Sequence, residues 1–359
     1  MRSINSWLVP YRSKMITRYV RYSLSVRTRR RLKQPDPQIH VIEFDEEDNE
    51  VKCKTILNHK DEIWDLKPCP FDKSVLATCS GVARAWRISG EDEEEEQKEE
   101  GKNTSGPELQ EIVTFKSDKE TKRILWEPIE EKRKDAVCIT FHEDGFQMWS
   151  LEYGSDPILT KRTSKSNDKI PKMSAASWDP IHLKQICTSN GTSVYGWDLR
   201  SAEQTHHIQS AHRMGVRDID FNVNKPWALV TGGDDGEVKF WDLRNSSKAL
   251  KVLNAHRHWV TCAKYSPNHD QLVLTASTDH MVKLWRVSSI SSAPLQQLEE
   301  DRPVNTPDGM VKCFDDHEDS VYSIAWSSYE PWVFASLSYD GRVVVGNVPS
   351  AEKYKILLD

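Results

Sequence analysis

The 359-residue chain lacks the marks of several protein classes. It has no apolar run approaching the ~20 residues of a membrane-spanning helix. Its seven cysteines, Cys53, Cys69, Cys79, Cys138, Cys187, Cys262 and Cys313, contain no C-x-x-C pair, and their number is odd. That argues against a disulfide frame or a zinc site and for free thiols in a reducing compartment. No P-loop, nucleophile elbow or His-x-x-Glu-His-type cluster occurs, so neither a cofactor, a metal nor an enzymatic activity is expected. With no secretory signal peptide, the sequons at Asn103, Asn190 and Asn245 read as chance. The net charge of −6 gives the molecule no general attraction for nucleic acid.

Tryptophan, by contrast, is abundant. Thirteen such side chains need regular places of burial, which implies a recurring structural use. Three zones depart from the rest. Residues 1–33 hold ten Lys or Arg and no acid, residues 91–100 are a solvated acidic run, and residues 290–310 are rich in Ser, Pro and acid. Elsewhere apolar and polar residues alternate between turn signals, the pattern of strands.

The strand-rich part repeats. Residues 211–244 align without a gap to residues 255–288: His212 falls on His256, Thr231 on Thr275, Asp235 on Asp279 and Trp241 on Trp285. A third copy, 316–349, keeps His317, Ser336 and Asp340, but Gly346 stands at the tryptophan position. Weaker copies upstream carry His59, Thr78 and Trp86, then Trp126 and Trp149, then Trp178 and Trp197. An aromatic followed two residues later by proline recurs at Trp126-Glu127-Pro128, Trp178-Asp179-Pro180 and Tyr265-Ser266-Pro267. Such a proline ends a strand because it cannot donate to the ladder. The period is 43 or 44 residues where nothing is inserted, from Trp178 to Phe221 and from Phe221 to Tyr265.

This period, closing on Trp-Asp, resembles the WD40 repeat, one four-stranded propeller blade per copy. The resemblance implies an all-β, seven-bladed WD40 β-propeller over residues 38–359, with polar insertions at about 90–107 and 290–312. Two further strands before His59 would complete the count, the first blade being incomplete or atypical, and the closing "KYKILLD" would supply the outer strand of the last blade. Residues 1–37 read as a disordered basic tail; a mitochondrial presequence or a basic arm for acidic lipid or nucleic acid are the other readings.

The same resemblance assigns the recurring polar residues. The buried indole N–H must find an acceptor. In the family this is the hydroxyl of the second strand, which bonds to a loop histidine, which bonds in turn to a turn aspartate. The sets are His212, Thr231, Asp235 and Trp241; His256, Thr275, Asp279 and Trp285; His317, Ser336 and Asp340; and His59 with Trp86. Thr, His and Asp could also be a nucleophile with its base and orienter. Their recurrence at fixed register beside a tryptophan favours the structural role, since an enzyme rarely needs several identical sites.

"QIHVIEFDEEDN", "HEDSVYSIAWSSYEPWVFASLSYDGRVV" and the closing "KYKILL" are similar to the WD40 family that interacts with the EARP and GARP tethering complexes. The resemblance implies a non-catalytic adaptor at endosomes and the trans-Golgi network. It would serve recycling, endosome-to-Golgi retrograde transport and the sorting of dense-core vesicle cargo. Candidate contact residues are Trp259, where the matching copies have Gly215 and Ser320, and Trp227 and Trp332, which follow prolines just before a second strand. The W-D-x-R motifs ending at Arg200 and Arg244 resemble those by which substrate receptors dock on the propeller adaptor of cullin-RING ubiquitin ligases, the alternative reading. Both arginines would then pair with acidic partner groups.

Overall fold

Alternating apolar residues bounded by turns produce strands almost throughout the computed structural model. It describes residues 7–11, 14–20, 37–45, 50–72, 74–89, 107–129, 135–143, 145–152, 158–162, 173–292, 308–327 and 330–358. The acidic run at 91–100 and most of the basic segment and of the 290–312 insertion lie outside these residues. No helix among the described residues is long and apolar enough to cross a membrane.

By contacts the chain divides into two units, Met1–Arg162 and Thr163–Asp359. The first holds three antiparallel sheets of four strands. These are β1 (Trp7–Tyr11) to β4 (Glu50–Asn58), with β2 (Lys14–Val20) and β3 (Gln38–Asp45) between; β5 (Asp65–Pro68) to β8 (Glu108–Phe115), with β6 (Val75–Cys79) and β7 (Ala83–Ser89); and β9 (Arg123–Trp126) to β12 (Ile158–Arg162), with β10 (Asp135–His142) and β11 (Gly145–Glu152). The second unit holds β13 (Met173–Trp178) to β16 (Glu203–Ile208), with β14 (Gln185–Asn190) and β15 (Ser193–Asp198), and β17 (Val216–Phe221) to β20 (Lys251–Asn254), with β18 (Ala228–Gly233) and β19 (Glu237–Asp242). It continues with β21 (Val260–Tyr265) to β24 (Gly309–Phe314), with β22 (Leu272–Ser277) and β23 (Val282–Arg286), and ends in a three-stranded sheet, β25 (Val321–Trp326), β26 (Val333–Ser338) and β27 (Val343–Asn347).

The β-propeller class stands, and the blade count is corrected. Among the described residues six sheets have the four strands of a full blade, not seven, and the short sheet is the last rather than the first. Two local facts explain the exchange. Segments expected in a basic tail, Trp7–Tyr11 and Lys14–Val20, pair as strands, β2 running from Met15↔Phe44 to Val20↔Ile39 along β3. They satisfy the row of backbone groups that β3 would otherwise leave open. At the other end, the expected outer strand is a helix, α1 (Ser350–Leu358). Its Glu352 is buried against the guanidinium of Arg286 in β23, taking both Nε and Nη2, and its Ile356 packs on the apolar cluster of the last two sheets.

Five of the second strands are wholly buried: all residues of β6, β14, β18, β22 and β26 are. Neighbouring sheets are also joined by first-strand carboxylates. Asp65 accepts from the Ile124 amide at 3.1 Å, and Asp218 accepts from the Ala263 amide at 3.0 Å and from the Lys264 ammonium. The apolar face between sheets and these short polar ties fix where each strand end lies.

Candidate functional site

The recurring polar residues converge inside individual sheets. In β18–β19 the Trp241 indole donates to the Thr231 hydroxyl at 3.0 Å, and that oxygen lies 2.8 Å from His212 Nε2. His212 Nδ1 lies 2.9 Å from Asp235, which also accepts from the Arg213 and Glu237 amides. The order of donors follows. Asp235 can only accept, so Nδ1 carries the ring proton, Nε2 accepts from the threonine hydroxyl, and that oxygen receives the indole N–H. Burial alone would raise the Asp235 carboxyl; His212 and the two amides overcome it and hold it at about 2. The next sheet repeats the set, with Trp285 to Thr275 at 2.9 Å, Thr275 to His256 at 2.8 Å and His256 to Asp279 at 3.0 Å. Burial lowers the His256 imidazole, keeping it neutral.

The other sheets show what happens when a member is missing. With no turn aspartate in the second sheet, His59 Nδ1 donates instead to the Asp61 carbonyl at 2.7 Å, while Trp86 and His59 meet at Thr78. In the last sheet His317 reaches Ser336 at 2.7 Å, but its Nδ1 stands 3.9 Å from Asp340, beyond hydrogen-bond length. Gly346 replaces the tryptophan there because Phe334, its partner in register, turns inward. A Cβ on Gly346 would fall 2.4 Å from the Phe334 ring. At the matching positions Leu229 and Val273 are smaller and leave room for an indole. The bulk has moved from one strand to its neighbour.

One set escaped the sequence comparison. Trp149 donates to Thr140 at 2.9 Å, as expected of a blade, but the histidine is His142 on the second strand, bonded to Gln147 at 3.2 Å, not a loop residue. The nine-residue step from Thr140 to Trp149, equal to that from Thr188 to Trp197, was the available signal. A further regularity explains how the indoles are aimed. The pairing of third and outer strands shifts register at Trp86, Trp149, Trp197 and Trp285, and the extra residue of such a bulge redirects the side chain.

The recurring histidines, hydroxyls and carboxylates are divided among separate sheets, and the histidines and hydroxyls are bonded to partners in their own sheet. His212, Asp235 and Glu237 do lie close enough to imitate a metal-binding trio. However, both His212 nitrogens are engaged, and Glu237 pairs with Arg213 at 3.1 Å and Lys239 at 3.2 Å.

The candidate contact residues divide. Trp227 packs its ring on His182, centroids 4.3 Å apart, and Trp332 stacks on His269 at 4.2 Å. Each therefore rests on the sheet before its own, as a packing residue does. Trp227 also holds a left-handed backbone, φ 67°. Arg200 and Arg244 are exposed, yet each guanidinium is closed in two bonds on the aspartate two residues earlier, Asp198 or Asp242. Trp259 is half-buried, as Trp227 and Trp332 are, with Arg217 of the preceding sheet stacked over its ring at 4.5 Å and His258 beside it.

The family model for the EIPR1 beta-propeller matches residues 31–285, and a WD domain, G-beta repeat, matches residues 309–345. The chain belongs to the EIPR1 β-propeller family. It is similar to the EARP-interacting protein homolog of Gekko japonicus, 38% identical over 351 residues, and to that of Danio rerio, 38% over 352 residues. It is also similar to EARP and GARP complex-interacting protein 1 of Homo sapiens, 36% over 351 residues. In all three cases the match covers 90% of each chain.

Proposed function

We propose that the protein is a non-catalytic scaffold that binds the EARP and GARP vesicle-tethering complexes. It would act at endosomes and the trans-Golgi network, in recycling and endosome-to-Golgi transport, and in sorting dense-core vesicle cargo. The observation that carries this reading is the 36–38% identity over nine-tenths of the chain to relatives named for interaction with those complexes. The side-chain chemistry agrees with it: the histidines, hydroxyls and carboxylates that could serve turnover are engaged within sheets, leaving the strand-end loops as the surface for recognition. Trp259 is the leading contact residue, because no core requirement in the matching copies demands an aromatic there. Trp227, Trp332, Arg200 and Arg244 are subsidiary.

Affinity purification of the full chain from cells, with the co-purifying chains identified, tests the proposal. Recovery of EARP and GARP subunits is expected. Recovery of other partners with neither complex would overturn it.

A further inference from the structure

The last sheet of the second unit ends on an uncovered strand. In the other sheets a fourth strand pairs with the third, but β27 has no such neighbour among the described residues. The direction of its backbone groups follows from its two ends. The Val348 amide donates to the Trp332 carbonyl at 2.9 Å, and the Arg342 carbonyl accepts from the Ser338 amide at 3.3 Å, both toward β26. By the two-residue repeat of a strand, the N–H and C=O groups of Val343, Val345 and Asn347 point the other way, into an open edge. The side chains show the same gap. Val238 and Val282 hold the place of Val343 in the two preceding sheets, and Phe240 and Leu284 that of Val345; all four are covered, at 0–1% exposure. Val343, Val344 and Val345 are only half-buried. The helix α1 does not fill the place, because Glu352 ties it to Arg286 of the preceding sheet. Outer edges elsewhere are guarded. Each of the six outer strands carries a charged residue, such as Lys52, Glu111, Lys251 or Lys312, whereas Val343–Asn347 carries none and pairs with β26 without a bulge.

We propose that this edge pairs with the same edge of a second copy of the chain, antiparallel about a two-fold axis through Val344. In that register Val343 of each copy lies opposite Val345 of the other, and each such pair exchanges both backbone hydrogen bonds. Val344 meets its own copy on the other face of the sheet, so every half-buried valine is met by a valine. Two observations select this occupant. Covering three successive valines takes apolar side chains on both faces of the added strand, and Val343–Val345 is itself such a run with its backbone open. Antiparallel pairing also sets opposite charges together. The loop bearing the exposed Asp316, Glu318 and Asp319 is held at the turn end of β27, where the Glu318 amide bonds Asp340 at 3.0 Å and its carboxylate takes Arg342 at 2.7 Å. Lys353 and Lys355 follow the other end of the strand, in α1. The acidic end of each copy thus lies toward the basic end of the other. A contact along one five-residue strand covers less than the about 1,200 Å² at which stable interfaces begin, so the pair is reversible, with dissociation in the micromolar range. This pairing goes beyond the tether reading and does not depend on it.

Sedimentation velocity of the full chain over about 1–100 µM tests the proposal. A reversible rise from the mass of one chain to that of two is expected. Val345→Pro removes an outward N–H and leaves the bonds to β26 in place, as proline allows on an edge. It is expected to weaken association about tenfold, with thermal unfolding near that of the parent. The register is read separately, which decides the matter even where the proline variant folds poorly. Residues facing each other in a non-hydrogen-bonded antiparallel pair stand about 4.5 Å apart at Cα, within reach of a disulfide. Val344→Cys, oxidised with glutathione disulfide, is therefore expected to link two chains well above the parent, whose own free cysteines set the background. Val343→Cys, facing Val345 of the other copy, is expected to stay at that background. A single-chain mass at the highest concentration, unchanged association in a folded Val345→Pro, or equal linking of the two cysteine variants would overturn the pairing. Binding of EARP or GARP is untouched by any of these outcomes.

Discussion

Replacing Thr231 by valine removes one hydroxyl and almost no volume. That oxygen is fully buried, receives the Trp241 indole at 3.0 Å and lies 2.8 Å from His212 Nε2; Trp241 and His212 are themselves buried. The valine therefore leaves two buried polar atoms without partners. Each orphan costs about 1–3 kcal/mol, so the expected loss is about 2–6 kcal/mol. Packing contributes little, because the side chains have the same shape. Thr231→Ser is the control, since it keeps the hydroxyl and loses a methyl group, a loss of about 1 kcal/mol. Urea unfolding followed by tryptophan fluorescence reads both. A second internal control lies in the last sheet. Ser336→Ala orphans His317 alone, there being no indole at Gly346, and should cost about half as much as Thr231→Val. A Thr231→Val midpoint within about 0.5 kcal/mol of the parent would refute the reasoning, and so would a serine variant as unstable as the valine one.

Three further outcomes follow from the same geometry. Gly346→Trp, which restores the family residue, should destabilise through collision with Phe334, and Phe334→Leu added to it should recover much of the loss by equilibrium unfolding. Glu352→Gln breaks the buried pair with Arg286 and should cost about 3–5 kcal/mol, whereas replacing both by Met and Leu should be near neutral in the same assay. In acid the protein should lose stability in two stages. His59, His256 and His317 are held below their ordinary values by burial, so the unfolded chain takes up protons first as pH falls below about 6.5. The carboxyl of Asp235, held at about 2, and that of Asp279, also lowered, then withdraw stability below about pH 4. Asp220, pushed up to about 6 by burial, opposes the first stage, so the descent should steepen below pH 4 in a pH series of melting temperatures.

The parts legible in the sequence were those fixed by local spacing. His212, Thr231, Asp235 and Trp241 could be paired with their counterparts because the loop, turn and strand between them have equal length in both copies. His142 was not legible in that way. It approaches the threonine from the end of a strand, 3.5 Å away, and bonds to Gln147, so it shares neither the spacing nor the partner of the loop histidines. The helix α1 was hidden for a different reason. "KYKILL" suits strand and helix alike, and the choice rests on Arg286, more than sixty residues away, which needs a buried carboxylate. The strands before β3 were obscured by the charge of their surroundings, although the strand-favouring residues Ile16, Thr17, Tyr19 and Val20 permit pairing. Among contact residues Trp259 stood out in the sequence because the matching copies carry Gly215 and Ser320, but Arg217 over its ring could be found only in three dimensions.

The central claim is that recognition by loops, supported by sheets whose recurring Trp, Thr and His side chains are bonded to one another, is the working principle of this propeller. Hydrogen exchange of the full chain with and without purified EARP complex tests it most directly. The account predicts new protection in residues 213–217 and 256–259, with the buried strands β18 and β22 unchanged. Absence of complex formation, or protection confined to those buried strands while the loops exchange freely, would contradict it.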